Sequence, residues 1–210
     1  MVQKLPPTPS HEVRYNGIMK ESLAIVAALL AVAGNTPYLI DIIRGRVRPH
    51  PYTWFVWSIV SATVLFGQIA KGAGVGAIPT AASEIFTFII FVFSLRYGFK
   101  ITTASDTAFL LIALLGLIPW ALTDDPTISV VIAVSIDVVA FIPTLRKAWE
   151  HPATETPILY GSNVLRHALA LASLQAYNVA TVLHSIAMIS ANSAMVAVLF
   201  KRKYEFRQEE

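Results

Sequence analysis

Cysteine is absent from the 210 residues, which removes disulfides, thiolate metal sites and thiol redox chemistry from consideration. Charge is scarce as well. Only 14% of residues are Asp, Glu, Lys or Arg, against 55% hydrophobic, whereas a soluble domain carries about a quarter of its residues charged. The composition places the chain in a bilayer. No nucleotide fingerprint is present, because Gly72, Gly74 and Gly76 have the wrong spacing and follow no strand, so they read as an external loop. What the chain does hold is 12 prolines and 10 glycines. These would damage a soluble helical bundle, but in a membrane neighbouring helices re-satisfy the freed backbone groups.

Residues 1–21 form a polar, proline-rich extension that does not read as a signal peptide, since the apolar run after it is long and lacks a cleavage-like end. A membrane span needs about 20 apolar residues. Seven stretches qualify: Ser22–Ile43, Tyr52–Ala70, Gly76–Leu95, Thr107–Leu122, Thr127–Leu145, Ile158–Leu174 and Val179–Phe200. Arg44, Arg46, Arg48, Arg96, Lys100, Arg146, Lys147, Lys201, Arg202, Lys203 and Arg207 follow the odd-numbered segments; Lys4, Arg14, Lys20 and Lys71 lie on the other side. Basic loops stay in the cytoplasm, which predicts an outside N-terminus and a cytoplasmic C-terminus. The same bias accounts for the Arg44, Arg46, Arg48 cluster, which would otherwise read as a phosphate or lipid site, and it turns the net charge of +3 away from nucleic acid.

A constant offset of 106 positions relates Pro37 to Pro143, Leu39 to Leu145, Pro51 to Pro157 and Trp54 to Tyr160. In each copy a basic polar stretch separates the two prolines and apolar segments flank them. Internal repeats with interrupted helices point to a transporter. The expected fold is an all-α membrane protein with seven transmembrane helices, two parallel three-helix bundles (22–100 and 126–204) joined by a linker helix (101–125), and a C-terminal tail (205–210). An odd linker is required because three crossings leave the chain on the far side.

Five ionisable groups fall within spans: Glu84, Asp137, Arg166, His167 and His184. Such groups are costly in a bilayer and face a cavity or one another. Tyr160, Asn163 and His167 share a helical face, and their 106-offset counterparts are Trp54, Trp57 and Ser61. Thr80, Glu84 and Thr87 form a stripe in the third segment; Ser185 and Asn192 form one in the seventh, with His184 beside it. Bland readings stand beside these: interfacial anchoring for Trp54 and Trp57, interhelical hydrogen bonding for Asn163 and Asn192, core packing for His167, His184 and Asp137, and a counter-ion or snorkelling role for Arg166.

The paired prolines and this segment plan resemble the SWEET and PQ-loop superfamily, whose members move sugars, amino acids or other small solutes by alternating access. The resemblance runs over nearly the whole chain after residue 20, and Ala82-Ser83-Glu84-Ile85-Phe86-Thr87-Phe88 is similar to the family's glutamate followed by aromatics. It implies that Pro37, Pro51, Pro143 and Pro157 act as hinges. Tyr38 and Thr144 stand where the family has the glutamine of its PQ dipeptide. The family's sugar-binding asparagine would fall near Ala77, and its partner at His184 or Asn192.

The expected activity is transport of a sugar-like or other small polar metabolite across a bacterial or archaeal plasma membrane, by a monomer or homo-oligomer, with no catalytic residue, metal or cofactor. Trp57, Glu84, Asn163, His167, His184 and Asn192 would line the substrate cavity. Glu84, Asp137 and Arg166 would form a proton or ion-pair network in which Arg166 neutralises one carboxylate. A non-transporting receptor or sorting protein on the same fold is the alternative. A retinal protein would need a lysine in the last segment, and Val179–Phe200 has none; a haem protein would need His167 and His184 as ligands.

Overall fold

The structure is a computed structural model that describes residues 11–99 and 122–209, with residues 104, 107, 108, 110, 111, 114 and 115 between them. Residues 1–10 of the extension and most of the expected linker helix lie outside the described residues. Among the described residues there is no strand. Six α-helices follow in order: α1 (His11–Ile43), α2 (Pro51–Ala70), α3 (Ile78–Tyr97), α4 (Pro126–Glu150), α5 (Pro157–Ser173) and α6 (Val179–Glu209).

Proline opens four of these helices, in the first turn of α2, α3, α4 and α5, where its missing N–H costs nothing and its fixed φ suits the helix. The residues before Pro51 and Pro157 are extended, His50 at ψ 115° and Thr156 at ψ 108°, as a following proline demands. Asp125 caps α4 by accepting from the Thr127 N–H at 2.7 Å. Pro37 lies within α1, which continues through it, and position 143 is likewise helical.

Two helices outrun their apolar segments. α1 begins at His11, since no proline interrupts the chain between Pro9 and Pro37. α6 runs on to Glu209, its polar end carrying Arg202–Glu205 and Lys201–Glu205 pairs at helical spacing.

Among the described residues, five helical stretches are long and apolar enough to cross a membrane: Asn16–Ile43, Pro51–Ala70, Gly74–Tyr97, Pro126–Glu150 and Val179–Glu205. α5 has 17 residues, about 26 Å at the α-helical rise, and it carries Asn163, Arg166 and His167. The burial pattern is inverted relative to a soluble domain. Asn35, Gln68, Asp137, Arg166, His167, His184 and Asn192 are buried, while Phe66, Ile85, Leu29 and Phe200 are exposed, the distribution a lipid solvent favours.

The helices pack in a closed ring in the order α1, α3, α2, α4, α6, α5 and back to α1. One end of the ring gathers the arginine-rich loops: Lys147 Nζ donates to the Arg48 carbonyl at 3.4 Å, Phe99 N to the Pro49 carbonyl at 3.0 Å, and Arg202 Nε to the Trp149 carbonyl at 2.9 Å. At the opposite end the 71–77 and 174–178 loops clasp. Gln175 N donates to the Ala73 carbonyl at 3.2 Å and Asn178 Nδ2 to the Lys71 carbonyl at 3.3 Å. Gly76 permits this approach, since a Cβ there would sit 2.9 Å from the Leu174 Cα.

Candidate functional site

Residues three and seven apart on a helix fall on one face, and two such stripes meet at the centre of the ring. Trp54, Trp57 and Ser61 of α2, and Tyr160, Asn163 and His167 of α5, all line one cavity of about 70 Å³. Asn35 of α1 and Phe141 of α4, again 106 positions apart, add to its wall. Thr80, Ser83 and Thr87 contribute from α3, and His184, Met188 and Asn192 from α6. Every helix of the ring reaches the cavity.

The ionisable groups of the wall form a chain of contacts. Arg166 is 5% exposed; its Nε donates to Asn163 Oδ1 at 3.1 Å and its Nη2 lies 2.7 Å from His167 Nε2. A guanidinium only donates, so His167 Nε2 must accept and its proton sits on Nδ1, which faces Ser185 Oγ at 3.3 Å. His167 is therefore held as one neutral tautomer. The His184 ring meets it edge to face, centroids 5.3 Å apart, and His184 Nε2 lies 3.4 Å from Asp137 Oδ2.

Arg166 does not pair with a carboxylate as the sequence suggested. No carboxylate oxygen lies within 4.0 Å of it among the described residues, because Asn163, one turn back on α5, and His167 occupy its fork. Asp137 finds His184 instead.

Two polar atoms of the cavity wall are buried with no protein partner, Trp57 Nε1 and His184 Nδ1. Asn35 and Asn192 each spend an amide N–H on the carbonyl one turn back, at 2.7 and 2.8 Å, which leaves their amide oxygens as acceptors. The wall thus offers a donor on an aromatic edge and acceptors across from it, the chemistry of a small polar solute. Among the described residues no three His, Asp or Glu side chains converge as a metal site would require.

Of the sequence-predicted site residues, Trp57, Asn163, His167, His184 and Asn192 come together here. Glu84 does not. Thr80, Ser83 and Thr87 hold the cavity-facing arc of α3, and at about 100° per residue from Ser83 Glu84 lines a neighbouring recess against α2, its side chain bonded to Ser61 of the cavity wall. Pro37 lies exposed in α1; Pro51 and Pro157 stand at the helix starts on the arginine-rich end.

That end of the cavity is closed by aromatic rings in tilted and edge-to-face contact. Tyr38, Trp54, Trp57, Phe141 and Tyr160 follow one another with centroids 5.0–6.4 Å apart. Beneath them is a feature that apolar segmentation passes over, since its residues fall in a loop. Glu155 is 3% exposed. It pairs with Lys147 Nζ at 2.6 Å, accepts from Tyr160 Oη at 2.8 Å, and its carbonyl accepts from Lys203 Nζ at 3.3 Å. The second proline-bounded loop is thereby tied to the cavity wall through Tyr160.

Comparison of the chain with protein-family models, characterised proteins and solved structures finds no match.

Proposed function

We propose that the protein transports a small polar solute by alternating access, on the plan of the SWEET and PQ-loop superfamily. The observation that carries this reading is the central cavity, reached by all six helices and holding two unpartnered polar atoms, Trp57 Nε1 and His184 Nδ1. A buried donor left without a partner costs about 1–3 kcal/mol, and a bound solute that accepts from Trp57 and pairs with His184 offsets it.

The packing order supports two repeats. The 106 offset sends α1, α2 and α3 onto α4, α5 and α6, and the ring contacts α1–α3, α3–α2 and α1–α5 become α4–α6, α6–α5 and α4–α2, each of which is present. Two triplets so related run parallel about an axis along the membrane normal, with the arginine-rich end in the cytoplasm. Each triplet rocks against the other about Pro37, Pro51, Pro143 and Pro157. The aromatic layer and Glu155 seal the cytoplasmic side, and the 71–77 and 174–178 loops seal the outer side.

The test is solute flux in proteoliposomes against a panel of labelled sugars, amino acids and nucleosides. One class is expected to move, with Trp57→Phe slowing it at least about tenfold through the loss of roughly 1.4 kcal/mol of hydrogen bonding. Solute binding without flux would assign the fold to a receptor or sorting protein, and neither binding nor flux would remove the reading.

A further inference from the structure

The recess that contains Glu84 lies outside the central cavity. Phe55, Ser58, Thr63 and Phe66 of α2 and Glu84 and Phe88 of α3 bound a space of about 400 Å³. Phe66 is 70% and Phe88 55% exposed, so the recess opens on the apolar outer face of the helix ring, where hydrocarbon is the solvent. Its polar groups are unequal. Ser58 and Thr63 spend their hydroxyl protons on the carbonyls one turn back, at 3.0 and 2.9 Å. Glu84 Oε2 is buried and has no partner.

An acyl chain filling this space would satisfy the phenyl rings and leave the carboxyl oxygen bare, at a cost of several kcal/mol for a polar group kept from water. A molecule with an apolar body and one hydrogen-bond donor satisfies both. We propose that the recess is a binding site for a bilayer-dissolved amphiphile whose head, a primary amine or a hydroxyl, donates to Glu84 while its body lies against Phe55, Phe66 and Phe88. Glu84 is then a lateral, membrane-entered site at the edge of the solute pathway, its side chain also bonded to Ser61 of the cavity wall. The site sets a requirement on the ligand: a donor head is accepted, and an anionic head, with no hydrogen to donate, is not.

Carbodiimide labelling of the full chain in liposomes tests this without any transported solute, so its failure leaves the transport reading standing. The carboxyl adds across a C=N bond, its proton passing to nitrogen, and the acyl group then shifts to nitrogen as a stable adduct that mass spectrometry locates. Dicyclohexylcarbodiimide is expected to label Glu84 and a water-soluble carbodiimide to leave it unlabelled, with Glu84→Gln losing the adduct. Dodecanol at about ten times its Kd slows labelling roughly tenfold by mass action, while dodecanesulfonate, which is anionic and does not consume the reagent, does not. Absence of the hydrophobic adduct, equal labelling by the soluble reagent, no protection, or equal protection by dodecanesulfonate would each overturn the proposal.

Discussion

The two halves of the cavity wall have the same geometry and different chemistry. α1, α2 and α3 present Asn35, Trp54, Trp57, Ser61, Thr80, Ser83 and Thr87, none of which ionises near neutrality; α4, α5 and α6 present Asp137, Arg166, His167 and His184 as well as amides and apolar groups. The loops between the paired prolines differ in the same way. In the first, Asp41 meets Arg46 at 3.5 Å with the arginine 66% exposed; in the second, Lys147 meets Glu155 at 2.6 Å with the glutamate 1% exposed. Position 41 is offset from 147 by the same 106 residues. The 106 offset relates where side chains point, and the ionisable groups of the cavity wall sit in the second half only.

Breaking the second loop should have the largest effect on stability. Glu155→Gln leaves Lys147 without its counter-charge, and removing one member of a buried pair costs about 3 kcal/mol. Thermal unfolding in detergent reads the loss. Lys147→Met should cost a similar amount alone and recover much of the deficit when combined with Glu155→Gln, because neighbouring residues are non-additive. Additive losses would mean that Tyr160 and Lys203, not Lys147, hold Glu155.

His167→Ala comes next. It removes the acceptor of the Arg166 guanidinium and the contact to Ser185, for a loss of about 2 kcal/mol. The counterpart change Ser61→Ala removes one hydrogen bond, to Glu84, and should cost about 1 kcal/mol. Equal effects on the melting transition would erase the difference between the walls.

Much of the site was legible in the sequence because helical spacing and the 106 offset are both angular statements. Trp54, Trp57 and Ser61 with Tyr160, Asn163 and His167 needed only a face and a shift. Glu84 stands at the edge of the stripe that Thr80 and Thr87 suggested: Ser83 takes the cavity flank, and Glu84 lines the recess beside it while bonding to Ser61 of the cavity wall. Asn35 escaped notice because its companion at i+3 is the aromatic Tyr38 and those at i+4 and i+7, Leu39 and Ile42, are apolar. Glu155 was hidden for another reason. Its burial depends on how a loop folds under α5, and neither hydropathy nor periodicity reports on loops. The helical reach of α1 back to His11 and of α6 to Glu209 was likewise invisible to a search for apolar runs.

Smaller effects probe the ends of the comparison. Asp41→Asn should change the melting temperature little, since an exposed ion pair contributes at most about 1 kcal/mol, against the larger loss at Glu155. At the start of α4 the Thr127 N–H, bonded to the Asp125 carboxylate, holds Asp125 below the usual aspartate range. A depressed carboxylate stabilises the fold above its unfolded value and loses that contribution as pH falls through its folded value. Protection of the first-turn amides of α4, relative to unfolded-chain exchange at the same pH, should therefore fall on acidification, and Asp125→Ala should lower it at neutral pH. An unchanged exchange rate in Asp125→Ala would leave the cap without a role.

The central claim is that the two triplets move against each other, and the lack of native cysteine allows it to be measured directly. Pairs of cysteines carrying spin labels at Lys71 and Tyr177 report one end of the ring, and pairs at Arg46 and Ala153 report the other. Double electron–electron resonance in proteoliposomes should give two distance populations at each end, and a transported solute should lengthen one end as it shortens the other. A single narrow distance at both ends, unchanged by any solute that binds, would contradict alternating access.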